Sequence, residues 1–313
     1  MRILLQFPEG LKAGALKVAE KLEAEGHTVF ISASPCYGAC DLALEQAKAV
    51  GAKRVIHYGH APFPSEKQPG IEVEYAEAAA KVDFRPVLLK ALADPDFAGC
   101  KKVGLVTTVQ HVGQLGEIRR FLEAKGKRVL VGRHGPLAEY DGQVLGCDAG
   151  AAKSVDAKAG CILFFGGGRF HPIAVAIACR NRVMAADPFL GKAFWMDGEK
   201  AKYEKRRKGM LMLGLRARRF GILVSTKPGQ FRLAAAEELK KRLEALGREA
   251  AILVSDRIEP DALLNFRSFD FYIDAACPRI AVDDFAQFGK PVLGLADAGE
   301  LLLLLGQAGP TRT

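Results

Sequence analysis

Among the seven cysteines of this chain, three stand apart because of their surroundings. Cys40, Cys147 and Cys277 each lie in a segment with glycine or proline and a charged neighbour. A free cysteine is most often buried in a hydrophobic core, a role that fits Cys161 and Cys179 better than these three. Soft thiolates bind zinc, copper(I) or iron–sulfur clusters. We therefore predict that Cys40, Cys147 and Cys277 bind one metal centre.

Cys36 lies four residues before Cys40 and complicates this ligand set. A structural zinc site usually contains paired cysteines a few residues apart, whereas Cys40, Cys147 and Cys277 are more than a hundred residues from one another. Three thiolates on a cubane cluster would leave one iron open to a substrate. A local ligand pair of Cys36 and Cys40 remains an alternative on spacing alone.

The segment Leu-Glu-Ala-x-Gly occurs three times and ends at Gly26, Gly126 and Gly247. Each copy closes an amphipathic helix pattern, and apolar runs lie on both sides of that pattern. Three such recurrences indicate an internal triplication, with one of the three loop cysteines near each copy. Strand–helix–strand alternation predicts parallel sheets with right-handed crossovers. The predicted fold is α/β, with three similar Rossmann-like parallel-sheet domains arranged about a pseudo-threefold axis.

The predicted domains are the segments 1–97, 98–205 and 206–313. The second boundary falls within a basic stretch from Lys202 to Arg219. Ligands of open parallel sheets bind beyond the carboxyl ends of the strands, so inward-facing edges would bring the three cysteines together. The predicted strands are Ile3–Gln6, Thr28–Ile31, Arg54–Tyr58, Val103–Thr107, Arg128–Val131, Ile162–Phe165, Ile222–Ser225, Ala251–Val254 and Phe271–Ile273.

The predicted strand-end loops contain several residues suited to holding a cofactor. Glycine lets a backbone amide approach a ligand closely, although the run Gly166–Gly168 lacks the spacing of a dinucleotide-binding loop. Arg279 could clamp a carboxylate, or it could balance the charge of Asp283 or Asp284. The candidates for cofactor contact are Gly10, His60, Gly167, Lys227 and Arg279.

The composition is that of a globular protein rather than a membrane or secreted one. The 313 residues include 45 basic and 36 acidic side chains, for a net charge of +9. No apolar run approaches the roughly 20 residues needed to span a bilayer, and the sequence opens directly with a predicted strand instead of a signal peptide. An odd number of cysteines does not suggest a secreted disulfide framework. We predict a cytoplasmic protein without a membrane partner.

Three motifs carry a resemblance to a known family. They are the run Tyr37–Asp41 (Tyr-Gly-Ala-Cys-Asp), the run Tyr58–His60 (Tyr-Gly-His) and the run Ala276–Asp284, which begins Ala-Cys-Pro-Arg. Together with the opening Gln6–Gly10, they resemble the archaeal diphthamide synthases, which are 2-(3-amino-3-carboxypropyl)histidine synthases. The resemblance covers nearly the whole chain.

The resemblance implies a homodimer of three-domain subunits, in which each domain gives one cysteine to a 4Fe–4S cluster. The family's ligands correspond to Cys40, Cys147 and Cys277, and Cys36 is then a spectator. The implied radical reaction cleaves S-adenosylmethionine between sulfur and the methionine γ-carbon. The aminocarboxypropyl group is attached to C2 of a histidine in translation elongation factor two, the first step of diphthamide biosynthesis. An unidentified electron donor is also implied, and no nucleic acid is required.

Two alternatives remain on the sequence alone. Quinolinate synthase, a second three-cysteine enzyme with triplicated α/β domains, would share the architecture but would not explain the three motifs. A non-catalytic nucleic-acid-binding protein would use the stretch Lys202–Arg219 as a phosphate-binding face. Aromatic residues are not interleaved with those charges as base stacking requires.

Overall fold

The computed structural model describes residues 1–64 and 69–308, and it divides the chain into two compact units. The first unit spans Met1–Asp197 and contains two sheets, while the second begins at Gly198 and contains one. Among the described residues, no helix combines the length and the apolar character that crossing a membrane would demand.

The first sheet has four parallel strands, and alternate side chains of its central strand face two separate apolar clusters. Leu5 packs with Ala19 on one face, and Leu4 packs with Ala47 on the other. Strands of parallel sheets are apolar throughout for this reason, since helices cover both faces. The strand order is β2-β1-β3-β4. The elements are β1 (Arg2–Gln6), α1 (Ala15–Ala24), β2 (Thr28–Ile31), α2 (Leu44–Ala49), β3 (Arg54–Tyr58) and β4 (Glu72–Ala76).

The second sheet has five strands, and its edge strand, Lys192–Trp195, runs antiparallel to the rest. The elements are α3 (Arg85–Ala93), α4 (Pro95–Gly99), β5 (Lys102–Thr107), α5 (Leu115–Ala124), β6 (Arg128–Val131), α6 (Gly150–Asp156), β7 (Cys161–Phe165), α7 (Phe170–Ala178), β8 (Val183–Asp187) and β9 (Lys192–Trp195). The strand order is β6-β5-β7-β8-β9. Cys161 and Cys179 are buried, as predicted for core cysteines.

The third sheet again has four parallel strands, in the order β11-β10-β12-β13. Its elements are α8 (Asp197–Arg216), β10 (Arg219–Ser225), α9 (Leu233–Ala245), β11 (Glu249–Ser255), α10 (Pro260–Leu263), β12 (Phe271–Asp274), β13 (Val292–Gly294) and α11 (Leu295–Ala308). Most of the basic stretch therefore lies on one continuous helix, α8.

Three glycines end the equivalent helices of the three repeats. Gly26, Gly126 and Gly247 follow α1, α5 and α9 with φ angles of 84°, 82° and 74°. Only glycine adopts this left-handed conformation without a steric penalty, which explains why the same residue recurs there. The predicted α/β class with three parallel-dominated sheets is confirmed, with the antiparallel edge strand β9 as an addition.

The predicted division into 1–97, 98–205 and 206–313 remains a prediction. Phe97 is fully buried with Leu105 in the core of the second sheet, because α3 and α4 pack their apolar sides there. The later boundary falls inside α8, whose residues from Gly198 onward belong to the second unit.

Candidate functional site

The three loop cysteines all follow the carboxyl ends of strands, but they do not occupy equivalent loops. Cys40 follows β2 and Cys147 follows β6, which are the second strands of their repeats. Cys277 follows β12, the third strand of its repeat, on the other side of the central strand. Cys277 therefore does not lie in the loop that corresponds to those of Cys40 and Cys147. The recurring Leu-Glu-Ala-x-Gly segment fixes the scaffold but not the strand after which a thiol is placed.

The loop of Cys40 is held by the side chain of Gln6 at the end of β1. The Gln6 amide nitrogen donates to the Asp41 carbonyl at 2.5 Å, and the Gln6 amide oxygen accepts from the Ala43 N–H at 3.0 Å. A Cβ at Gly38 would lie 3.3 Å from the Cys40 Sγ atom, so the backbone passes close to this thiol. Gln6 thus fixes backbone groups one and three residues after Cys40.

Two histidines extend this network. His57 Nδ1 lies 2.9 Å from the Gln6 amide oxygen, and His57 Nε2 lies 2.9 Å from His60 Nδ1. The backbone partners of Gln6 fix its amide orientation, so His57 must carry its proton on Nδ1, and its Nε2 presents a lone pair. His60 Nδ1–H then donates to that lone pair.

Burial keeps both rings neutral. Desolvation, with a smaller contribution from the His60 ring, lowers the pKa of His57 to about 3. Desolvation also lowers the pKa of His60 to about 4, against an opposing hydrogen bond to the Tyr58 backbone. At neutral pH this cluster consists of uncharged imidazoles.

Cys147 lies exposed at the tip of a tight turn that Asp148 anchors. The backbones of Leu145 and Asp148 exchange two hydrogen bonds, of 2.8 and 3.1 Å. The Asp148 carboxylate accepts from the N–H groups of Leu137 at 2.8 Å and Gly150 at 2.7 Å. The position of the turn is therefore set from both sides of Cys147.

A buried carboxylate anchors the loop of Cys277. Asp274 Oδ1 accepts from the Ala276 N–H at 2.9 Å, and a second bond comes from the Cys277 N–H. Burial nevertheless raises the pKa of Asp274 to about 7, and its Oδ2 atom has no partner among the described residues. The loop of Cys277 is thus held by a carboxyl group whose pKa lies close to neutral pH.

The predicted cofactor contacts lie in varied settings. A Cβ at Gly10 would meet no atom within 4 Å, whereas a Cβ at Gly167 would lie 2.8 Å from the Phe189 ring. Lys227 is buried and comes just after β10, the strand that pairs with β12. Arg279 lies 3.5 Å from Asp284, so its charge has a carboxylate partner. Gly10, His60, Gly167, Lys227 and Arg279 remain predicted cofactor contacts.

Within the first unit, the structure holds Cys40 and Cys147 on separate sheets, and Cys277 lies in the second unit. Their convergence on one centre remains a prediction. Sequence reasoning treated Gln6 and His57 as strand residues and missed their link to the Cys40 loop. The available signal was that both polar side chains sit in or at the end of otherwise apolar strands.

Comparison with known proteins defines the class to which this fold and site belong. The profile of the putative diphthamide synthesis protein family matches residues 7–308. The chain belongs to this family, and the family predicted from the three motifs is confirmed.

Individual proteins similar to this chain support the same family assignment. A 2-(3-amino-3-carboxypropyl)histidine synthase of Pyrococcus horikoshii is 37% identical, over 97% of this chain and 86% of that protein. A protein of the same name from Methanocaldococcus jannaschii is 29% identical, over 93% of this chain and 81% of its own length. The crystal structure of Dph2 from Pyrococcus horikoshii with a 4Fe–4S cluster has a TM-score of 0.89 at 36% identity, covering 97% of this chain and 86% of that one.

Proposed function

We propose that this chain is a 2-(3-amino-3-carboxypropyl)histidine synthase, a transferase that takes the 3-amino-3-carboxypropyl group from S-adenosylmethionine. The observation that carries this is similarity along almost the whole chain, in sequence and in fold, to a protein of that activity whose structure contains a 4Fe–4S cluster. The predicted activity, the first step of diphthamide synthesis, is confirmed at this level. The similarity along the whole chain favours this activity over quinolinate synthesis and nucleic-acid binding.

We assign Cys40, Cys147 and Cys277 as the ligands of the 4Fe–4S cluster. The donor chemistry fits, because such clusters are held by cysteine thiolates, and these three lie in loops at the carboxyl ends of strands. When bound, a cluster with one iron lacking a protein ligand supplies a low-potential electron to the sulfonium. Cys36 is buried and takes no part in this ligand set.

The remaining task of the chain is to bind S-adenosylmethionine in one orientation. The bond that breaks joins sulfur to the methionine γ-carbon, so the methionine part must be fixed. Lys227 and Arg279 are the cations we assign to its carboxylate. Lys227 follows β10, the neighbour of the strand β12 that precedes Cys277, and Arg279 comes two residues after Cys277. We assign Gly10 and His60, in the first repeat, and Gly167, in the second, as further contacts of S-adenosylmethionine.

The acceptor and partners follow from the same reaction. We place the new bond at C2 of a histidine imidazole in translation elongation factor two, and the catalyst as a homodimer served by a separate electron donor. Arg206 and Arg207, in the basic stretch, are engaged within their own unit. Arg206 donates to the Val282 carbonyl at 2.8 Å and Arg207 pairs with Asp297 at 2.6 Å. We propose a cytoplasmic enzyme that needs no nucleic acid.

The test is to incubate the reduced, anaerobically purified protein with S-adenosylmethionine, with and without the elongation factor, and to separate the nucleosides. We expect 5′-methylthioadenosine, and an added aminocarboxypropyl mass on one histidine of the factor. Cys277→Ala should abolish both products, and Cys100→Ala, at a half-buried cysteine outside the ligand set, should retain them. The appearance of 5′-deoxyadenosine or S-adenosylhomocysteine as the main nucleoside would contradict this mechanism.

A further inference from the structure

Cys36, His57 and His60 form a compact cluster of metal-binding side chains in the first repeat. One ligand atom from each residue lies within 4.8 Å of the others. Cys36 is 2% exposed and His57 is fully buried. The three residues come from two different segments, the loop after β2 and the end of β3. The fold therefore gathers one sulfur and two imidazoles at one point of the first repeat, and Cys40 is not part of this group.

The surroundings of His57 match those of a metal-bound histidine. Such a histidine nearly always donates its second ring N–H to a protein oxygen, which fixes its tautomer and orientation. Here the Gln6 amide oxygen takes that role on Nδ1, and Gln6 is itself held by Asp41 and Ala43. The His57 lone pair on Nε2 is thus aimed at the cluster before any metal arrives.

We propose that Cys36, His57 and His60 bind a zinc ion, at a site separate from the iron–sulfur ligands. Thiolate and imidazole together are the donors that zinc prefers, and three protein ligands leave a fourth, tetrahedral position for water. On binding, Cys36 releases its thiol proton to solvent. If His60 coordinates through Nδ1, its proton moves to Nε2, so the ring stays neutral and one proton leaves per zinc. No oxidation or reduction is involved.

The site would act on the position of the Cys40 loop. Cys36 lies four residues before Cys40, and its Sγ atom contacts the Gly38 carbonyl at 3.8 Å, between the two cysteines. A zinc ion held by Cys36 and by the end of β3 would join that loop to the central region of the first sheet. Coordination through Nδ1 would leave the Nε2 atom of His60 for its predicted contact with S-adenosylmethionine, so the two roles of this ring are compatible.

The experiment uses the full chain with its iron–sulfur cluster reconstituted anaerobically, so that the cluster thiolates are occupied. One equivalent of zinc is added, the protein is desalted, and zinc and iron are measured together. We expect about one zinc per chain, with zinc X-ray absorption showing one sulfur and two imidazole nitrogens. Cys36→Ala should weaken zinc binding by at least the roughly 10–100-fold that loss of a supporting group costs, with iron unchanged.

Cys100→Ala is the matched control, because it removes a cysteine that lies outside both sites. It should bind zinc as tightly as the parent. Equal zinc retention in Cys36→Ala and Cys100→Ala, or loss of all zinc from the parent on desalting, would overturn the proposal. A zinc spectrum dominated by sulfur would do so as well, because it would place the metal on the cluster cysteines. Absence of iron from the same samples would count against the proposed function instead.

Discussion

The loops of Cys40 and Cys277 both lie at the carboxyl ends of strands, but different side chains hold them there. The first follows the second strand of its repeat and is held by the amide of Gln6, which in turn bonds to a pair of neutral imidazoles. The other follows the third strand and is held by the carboxyl group of Asp274. The comparison shows that a repeated scaffold offers more than one strand-end loop in which a thiol can lie. The repeat decides which edge is used, while the loop anchors are particular to each copy.

Removing a thiol should give the largest effect on iron content, and it tests directly whether both loops belong to one site. Cys40→Ala and Cys277→Ala should each reduce iron from about four per chain to near zero, because both thiolates are assigned to one cubane. Iron and sulfide analysis after anaerobic reconstitution is the measurement. Retention of the full iron content by either variant would mean that its loop does not belong to the site.

Gln6→Leu should destabilise the protein and disturb the Cys40 loop. It leaves the Asp41 carbonyl and the Ala43 N–H without their partner, at a cost on the order of 1–3 kcal/mol for each buried group. Urea unfolding measures the stability, and iron content measures the loop.

Gln114→Leu is a matched control, since Gln114 bridges the Val82 N–H and carbonyl in the same way, away from any cysteine loop. It should lose similar stability but keep its iron. If both variants retain iron equally, Gln6 is a general structural bridge and not an anchor of the site.

The two loops should respond to pH in opposite directions. The folded pKa of His57, about 3, lies below the ordinary value of 6.5, so its stabilising contribution is complete above pH 6.5 and is lost as the pH falls. The folded pKa of Asp274, about 7, lies above the ordinary 3.8, so its contribution is complete below pH 3.8 and is lost as the pH rises through 7. Each effect is at most about 1.4 kcal/mol per pH unit.

This contrast can be measured on the cluster-free protein. Fluorescence of Trp195, the single tryptophan, reports the first unit, and hydrogen exchange in β12 reports the second. Acidification from pH 7 to 5 should lower the urea midpoint seen by Trp195 and increase protection in β12. Asp274→Asn should remove the pH dependence in β12 only. If both probes in the parent protein reported the same direction of stability change on acidification, the predicted opposite pH responses of the two loops would be wrong.

The strands of the fold were largely predictable from the sequence, and the anchors of the site were not. Thr28–Ile31, Arg54–Tyr58 and Arg128–Val131 form strands with the predicted bounds, because parallel strands are short, apolar runs between turn residues. Thr28–Ile31 is an edge strand and is only half-buried. The short antiparallel strand β9 has no such signature. Neither has the hydrogen bond between Gln6 and His57, which joins residues 51 apart in the chain.

The prediction of the site was limited in the same way, because local sequence patterns report only on nearby residues. Composition marked the loops that carry thiols, since glycine, proline and a charge beside cysteine disfavour a core position. The predicted strand Phe271–Ile273 already placed Cys277 after the third strand of its repeat. The burial that shifts the pKa of Asp274 depends on how helices and strands pack, and local patterns carry no information on it.

The antiparallel strand β9 has a consequence for divergence among related proteins. It forms a hairpin with β8, and the exposed residues Phe189 and Leu190 lie at its tip. The Asp187 carboxylate accepts the backbone N–H groups of both, at 2.9 and 3.0 Å. Because that carboxylate fixes the tip through backbone groups, the Leu190 side chain can be exchanged with little loss of the sheet. The Phe189 ring, by contrast, lies next to Gly167 and 5.8 Å from the His111 ring. Natural variation at this edge is therefore expected to accumulate first at Leu190.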